Sequence, residues 1–296
     1  MLNRLDQSGV ALIQVLLISA VISLLALSFT HTARDQLVMA EQFDNRVKAK
    51  LAAQSAFNQA VFVQLSDVIT SESDSFADLN SIKADINLFG EPIRWNEKIT
   101  VSIQDLNGLL PQHYPRHALW GRVLRRSGFD AEQVRAFQGL WKDAQDPDVN
   151  AWMGGEREPD ILPSGQRYLD GYAQTDHVMR WIFEEHPKVL YRFLSVSDKD
   201  APFDTNVFNA PADLIEMLFT PSVANEIIRS RVEGGGSRAA MRELLPAELQ
   251  VENIYQHNSS VRVIHISYRN GDVAWSDKWK IQLEALNLPP LKIIER

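Results

Sequence analysis

The densest group of residues that could do chemistry is an acidic segment in the middle of the chain, KDAQDPDVNAWMGGEREPD at residues 142–160. Its Pro and Gly residues bend the backbone, and Ca²⁺ takes roughly six to eight oxygen ligands from segments of this kind. The spacing is not that of an EF-hand, so a solvated acidic loop is the alternative to a metal site. The oxygen ligands that we select for Ca²⁺ are Asp143, Asp146, Asp148 and Glu156.

A second segment, residues 222–245, has a helical pattern, a glycine-rich turn and another helical pattern. Hairpins of this type can hold DNA phosphates through the amides of the turn. The alternative is a hairpin that packs within the protein, and the net charge of −8, from 30 basic and 38 acidic residues, favours it and argues against a nucleic-acid partner. The basic residues of this segment are Arg229, Arg231, Arg238 and Arg242.

Motifs of catalysis are missing from the sequence. The seven histidines form no HExxH, and the chain has no GxSxG, Walker A or GxGxxG motif. Zero cysteines exclude disulfides, thiolate zinc sites and iron–sulfur clusters. We therefore expect a protein that is not an enzyme.

The N-terminal region is a strong candidate for a membrane segment. No formal charge occurs from Val10 to Ala33. The first part of this run, residues 10–29, would span roughly 30 Å as a helix, which is the thickness of a bilayer core. A cleaved signal peptide is the alternative, but its apolar region is usually only about 7 to 15 residues long.

The apolar run continues without Gly or Pro into an amphipathic stretch that reaches Asp67. This pattern predicts one helix of about 55 residues that starts in the membrane and ends in a folded domain. The apolar residues that recur at near-helical spacing are Leu37, Ala40, Val47, Leu51, Phe57, Val61 and Leu65.

The leader before this helix, MLNRLDQSG, is short and polar and ends at Gly9. A charged leader that ends in Gly before a long apolar helix resembles the type IV prepilin class. The resemblance implies cleavage after Gly9 by a prepilin peptidase and N-methylation of the new first residue, Val10. Arg4 and the terminal amine give a modest preference for a cytoplasmic N-terminus, which places the C-terminal domain in the periplasm.

The fifth mature position distinguishes this chain within that class. Most members carry Glu there, whereas this chain has Gln14. Loss of this Glu is typical of the K-type minor pseudopilins of type II secretion systems, although a lone polar residue in a span can also be merely tolerated.

The remaining sequence predicts an α+β fold. Residues 91–108 predict a hairpin or meander with Ile99, Val101 and Ile103 alternating, closed by an Asn-Gly turn. A β-branched run at 260–270, an Asn270-Gly271 turn and a partner strand from Ala274 predict a second hairpin. Between them, helical apolar spacing occurs at 117–128, 130–144, 175–186, 210–219 and 221–236.

Short motifs in this middle region resemble those of the K-type family in the same order. Departures are the absence of the Asn-Leu-Asn that usually follows the Asp-x-x-Gly turn, Ala144 where Trp is usual, Arg157 in place of Asp and Phe208 in place of Asn. The matching positions are Asp105 and Gly108 of an Asp-x-x-Gly turn, Asp143, Asp146 and Asp148, then Gly154, Gly155 and Glu156, and finally Asn206, Ala210 and Pro211 of an Asn-x-Asn-Thr-Ala-Pro element, in which Asn209 also lies.

The resemblance implies a long N-terminal transmembrane helix that leads into a pilin-like antiparallel sheet with a large helical, SAM-like insertion. It also implies Ca²⁺ in the helical region. The expected segments are a leader at 1–9, a transmembrane part at 10–33, pilin helix and first strands at 34–111, two SAM-like modules at 112–203 and 204–248, and the last strands at 249–296.

The function implied by the resemblance is that of a single-pass inner-membrane protein that caps the tip of a type II secretion pseudopilus and supports export across the outer membrane. Its expected partners are the I-type and J-type minor pseudopilins, the major pseudopilin and the prepilin peptidase. A periplasmic nucleic-acid-binding component of DNA uptake is the alternative, because of the basic hairpin at residues 222–245.

Overall fold

The computed structural model describes residues 8–69, 86–112, 118–143, 150–151, 187–201, 205–232, 258–284 and 289–296. Its longest element is a continuous helix, α1, from Ser8–Ile69. The uninterrupted helix confirms the prediction that one helix joins the apolar N-terminal run to a folded domain. No helix-breaking Gly or Pro occurs in α1 after Gly9, so the backbone has no local reason to bend or stop.

Five strands form an antiparallel sheet in the order β1-β2-β5-β6-β7. Within the described residues, a separate pair, β3 and β4, is parallel. The strand bounds are β1 (Ile93–Arg94), β2 (Ile99–Asp105), β3 (Leu110–Pro111), β4 (Ser197–Asp198), β5 (Val261–Asn270), β6 (Val273–Leu283) and β7 (Leu291–Glu295).

The second hairpin is confirmed in detail. Asn270 pairs with Val273 across a tight turn, where Gly271 has a φ of 58°. An L-residue with a side chain rarely adopts such a φ, which explains glycine at this position. The short edge strand β7 was not predicted from the sequence.

The prediction that Asn107-Gly108 closes a hairpin was wrong. The first hairpin, β1 to β2, turns before Ile99, where the Asn96 side chain accepts hydrogen bonds from the backbone N–H groups of Lys98 and Ile99. Asn107 and Gly108 instead lie in a 3-10 turn, Leu106–Gly108, that carries the chain out of the sheet. An Asn-Gly pair favours several tight turns, so the dipeptide alone does not identify a hairpin.

The sheet packs against one side of α1 through small residues. Ala53, Ala56 and Ala60 are buried against a sheet surface that includes Ile264 and Ile266. Because alanine side chains are short, the helix and the sheet approach closely. The Phe57 and Trp279 rings, with centroids 4.6 Å apart, fill the remaining space.

The larger apolar residues of α1 largely point elsewhere. Phe57 and Val61 are buried as the amphipathic pattern predicts, but Leu37 and Leu51 are 70% and 63% exposed. The side that contacts the sheet is the alanine-rich one. The predicted helix is therefore confirmed, and its contact with the sheet combines Phe57 and Val61 of the amphipathic pattern with alanines that the pattern did not single out.

The helical region inserts between β2 and β5, which are neighbours in the sheet. Its described helices are α2 (Ala118–Arg126), α3 (Ala131–Asp143), α4 (Pro187–Val196), α5 (Ala212–Leu218) and α6 (Pro221–Val232). Four of them lie where helices were predicted, α4 was not predicted, and the helix predicted at 175–186 lies outside the described residues.

The insertion has its own core around two tryptophans. Trp120 and Trp141 stack with ring centroids 6.1 Å apart. Their indole N–H groups donate to the carbonyls of Pro111 and Gln112 at 2.9 and 2.6 Å. Both buried polar atoms are thus satisfied, which is the condition for placing tryptophan in a core.

Candidate functional site

The N-terminal half of α1 is the first candidate functional element. From Leu12 onward, the helix is long and apolar enough to cross a membrane, and its most apolar window, with mean hydropathy 2.5, makes no buried contact with the rest of the chain. Gln14 lies exposed on this part of α1. Gly9 and Val10, the residues of the expected processing site, lie in the first turn of α1.

The second candidate is the junction at which the insertion leaves and rejoins the sheet. Asp105, the last residue of β2, has no exposed surface. Its carboxylate accepts hydrogen bonds from the backbone N–H of Asn107 at 2.8 Å and of Ser259 at 2.9 Å, and from the Asn209 side chain at 3.1 Å. One side chain therefore joins the exit turn, the return segment and the interior of the insertion.

Burial dominates the electrostatics of Asp105. It raises the pKa of the carboxyl to about 6, although the hydrogen bonds from Asn107, Ser259 and Asn209 and the nearby Arg262 act in the opposite direction. The donors reduce the cost of burying the charge without removing it.

Two of the sequence motifs meet at this junction. A Cβ atom on Gly108 would lie 2.0 Å from the carbonyl oxygen of Asn209, so only glycine fits there. Asn206 caps the turn before Asn209 by accepting a hydrogen bond from the N–H of Phe208 at 3.0 Å. The Asp-x-x-Gly and Asn206–Pro211 segments, although far apart in sequence, thus form one structural unit.

A buried lysine makes a further contact between sheet and insertion. Lys280 on β6 donates to Asp198 at 2.8 Å and to Asp200 at 2.6 Å, both in the insertion. Burial disfavours the charge on Lys280, but these hydrogen bonds outweigh it and raise its pKa. Sequence reasoning missed this group, because a lysine between Trp279 and Ile281 looks like an ordinary outward-facing strand residue.

The basic hairpin contributes to packing in its described half. Arg231 donates to the carbonyls of Phe208 and Ala210, and its guanidinium lies 4.5 Å from the centre of the Phe89 ring. Burial lowers its pKa to about 10, with Glu91 opposing the shift. Arg229 pairs with Glu226. Arg238 and Arg242 lie outside the described residues.

The acidic segment is represented by its first residue. Asp143 ends α3, has no exposed surface and interacts within the protein. Asp146, Asp148 and Glu156 lie outside the described residues. Trp141, two residues before Asp143, belongs to the insertion core.

The insertion joins the sheet at the end remote from the apolar half of α1. Tyr268 on β5 interacts electrostatically with Lys48, whereas Arg262, nearer the start of β5, donates to Gln64. The sheet therefore follows α1 from Lys48 towards its C-terminal end. Because the insertion leaves after Asp105, which pairs with Arg262, it lies beyond the sheet when viewed from the apolar segment.

Comparison of the sequence with protein-family models and with curated proteins finds no match. Comparison of the structure finds similarity to a chain in the crystal structure of the GspK-GspI-GspJ complex from the type 2 secretion system of enterotoxigenic Escherichia coli. The two chains are 7% identical, with a TM-score of 0.51, and the match covers 88% of this chain and 98% of that chain. The protein thus has a pilin-like α+β fold, similar to that of a chain in this type 2 secretion system complex.

Proposed function

We propose that this protein is a K-type minor pseudopilin that caps the tip of a type II secretion pseudopilus and supports protein export across the outer membrane. The observation that carries the proposal is the structural match, which covers 98% of the matched chain, together with the long apolar helix, the antiparallel sheet and the helical insertion of this chain. Its role is assembly, with no chemical step. The N-terminal half of α1 anchors it in the inner membrane and the folded part lies in the periplasm.

The outward side of α1 supports the assembly role. Residues at alternating spacings of four and three lie on the side of α1 away from the sheet and form a seam; its members are exposed, as is every residue of α1 from Leu12 to Asp44. This spacing is that of a helix that packs against another helix, and small residues in a membrane allow close approach. The seam consists of Ser19, Ser23, Ala26, Thr30, Ala33, Leu37, Ala40, Asp44, Val47 and Leu51.

Two features support a position at the tip. Neutral Gln14 cannot pair with the N-terminal amine of another subunit in the membrane, where an unpaired charge is costly. A terminal subunit loses nothing by lacking that carboxylate. The insertion also joins the sheet at the end remote from the membrane segment, where it would obstruct a subunit stacked above.

Site-specific crosslinking in an assembled pseudopilus tests this proposal. Photocrosslinkers at Leu37 and Val47, both on the seam, should form adducts with I-type and J-type minor pseudopilins, and rarely with the major pseudopilin. The same probe at Glu132, exposed on the insertion, serves as the control and should give no adduct with the major pseudopilin. A ladder of self-crosslinked copies would contradict the proposal, because it would place the chain along the shaft.

We also propose that the acidic segment from Asp143 to Glu156 binds Ca²⁺, on the basis of its carboxylate density. A bound ion stabilises the folded state by about 2.7 kcal/mol when its concentration is about 100 times Kd. Millimolar Ca²⁺ should then raise the Tm of the full chain, and Asp146→Ala should abolish the rise. Asp213→Ala, an exposed carboxylate on α5, is the control and should keep it. Identical melting in Ca²⁺ and in EDTA would contradict the proposal.

A further inference from the structure

The outer face of the sheet, opposite α1, is polar and basic. Ile264 and Ile266 on β5 face α1, so by strand alternation His265, Ser267 and Arg269 face outward. Hydroxyl residues on the neighbouring strands lie beside them in register, since Ser267 pairs with Thr100 on one side and with Ser276 on the other. This face combines cations with hydroxyl groups in a chain whose net charge is −8.

One cleft opens on this face near the β1–β2 turn. It has a volume of about 780 Å³, and its lining includes Arg94, Lys98 and Arg269 together with the hydroxyl groups of Thr100, Ser267 and Ser276. Glu97 also lines the cleft. None of the three cations forms an ion pair with a residue in the described part of the chain.

A second cleft, of about 300 Å³, opens between the sheet and the insertion. Lys280 and Arg296 in its lining are already paired, with Asp198 and Asp277 respectively. Lys199 and Lys278, which also line it, form no ion pair among the described residues, so their charges are available to a ligand.

The two clefts follow one another along β6. Ala274 and Ser276 line the first, and Lys278 and Lys280 line the second. These residues alternate along one strand face, so the pair of clefts extends for roughly 20 Å. We call these two adjacent clefts the outer groove; by strand register, Ser267 and Ser276 lie between Arg269 at one end and Lys278 at the other.

We propose that this outer groove binds an extended, carboxylate-rich segment of a partner protein. Arginine and lysine at the two ends match carboxylates, and the hydroxyl groups between them match backbone amides and carbonyls. A groove of roughly 20 Å accommodates about six residues of extended chain. The shape and charge thus fit a strand-like acidic peptide.

Protein is favoured over single-stranded nucleic acid because the described residues that line the groove offer no platform for base stacking. Surfaces that hold single strands combine cations with exposed aromatic rings. Here Tyr268 and Trp275, which contribute to the lining, pack their rings against the core on the α1 side of the sheet. The contact is electrostatic and local, so it should weaken as salt screens it.

The test uses the full chain in detergent micelles and a fluorescein-labelled octaglutamate peptide, with binding measured by anisotropy. We expect saturable binding at about 50 mM NaCl that weakens several-fold at about 300 mM. Arg94→Gln with Arg269→Gln, at one end of the groove, should weaken binding roughly fivefold. Lys199→Gln with Lys278→Gln, at the other end, should have a similar effect.

The matched control is Arg125→Gln with Arg135→Gln, which removes the same charge from exposed positions on α2 and α3 and should leave binding unchanged. Arg94→Lys with Arg269→Lys keeps the charge and should retain most of the binding, which separates an electrostatic loss from misfolding. No saturable binding, or an equal loss in the control, would overturn the proposal. Tighter binding of an oligothymidylate that the groove variants also lose would assign the groove to nucleic acid instead.

Discussion

The sheet with α1 and the helical insertion are packed in different ways. Against the sheet, α1 contributes mainly alanines, together with Phe57 and Val61, and the closeness of helix and sheet provides the burial. The insertion is packed around the stacked Trp120 and Trp141 and has no long element of its own among the described helices. The first unit depends on close approach of two large elements, the second on a few large side chains.

The contact between these two units is of a third kind. Its apolar part is a small cluster of Leu106, Leu109, Ala201 and Val263. Much of the remainder is polar, with Asp105 and Lys280 at its centre. The two cores should therefore respond separately to mutation, while their relative placement should depend on a few charged groups.

The largest expected effect is the loss of one core without the other. Trp120→Ala should destabilise the insertion by about 3–5 kcal/mol, because it removes a fully buried ring together with the contact between that ring and the stacked Trp141. Hydrogen exchange should then increase in α2, α3 and α5 and stay slow in β5 and β6. The measurement is exchange mass spectrometry of the full chain in detergent.

Phe57→Ala is the matched change in the other core and should show the reverse pattern. Its ring packs against Trp279, so β6 should lose protection while α3 keeps it. If either variant accelerated exchange equally in both units, the chain would have one cooperative core, which would contradict the separation of the two cores.

The next effect is a pH dependence of the folding stability, caused by Asp105 at the junction. Asp105 has a pKa raised from 3.8 to about 6, so the folded state binds its proton more tightly than the unfolded state. The stability that this group contributes is therefore fully present below pH 3.8 and is lost as pH rises through about 6. The difference of about 2 pKa units corresponds to roughly 3 kcal/mol.

Denaturant unfolding of the wild type and of Asp105→Asn at pH 4.5, 5.5 and 7 measures this contribution. The difference in stability between the two proteins should change by about 2 kcal/mol over this range, in favour of the wild type at low pH. A difference independent of pH would show that the carboxylate keeps an ordinary pKa and that burial is not the dominant influence.

A smaller effect is expected at Lys280. Lys280→Met should cost about 1–3 kcal/mol, because it leaves Asp198 and Asp200 partly buried without their cation. Lys278→Met, on the same strand and exposed, is the control and should cost under about 0.5 kcal/mol. Equal costs would mean that the buried ion pairs do not hold the insertion on the sheet.

The elements with strong local patterns were predictable from the sequence. The β5–β6 hairpin has alternating β-branched residues and an Asn-Gly turn. Helix α3 follows an N-cap residue, Asp130, whose carboxylate accepts hydrogen bonds from the backbone N–H groups of Glu132 and Gln133. The long helix was predictable because nothing in residues 10–67 interrupts it. These are local signals, and they act over a few residues.

The polar junction was not predictable as a site. Asp105 and Asn209 were noted as members of separate short motifs, but their contact depends on how the insertion folds back on the sheet. Nothing in the sequence around Lys280 indicated that it is buried, because the insertion covers its side chain and its neighbours on β6 do not. The contact of Ala53, Ala56 and Ala60 with the sheet had no sequence signal for a related reason, since alanine becomes the contact surface only when a flat sheet lies against it.

The N-terminus of the protein isolated from the inner membrane tests the central claim most directly. If the chain is a pseudopilin, mass spectrometry should find a mature chain that begins at Val10 with a methylated amine, and Gly9→Val should remain unprocessed. A mature chain that begins near Ser28 or Thr30 would identify an ordinary signal peptide and would contradict the account.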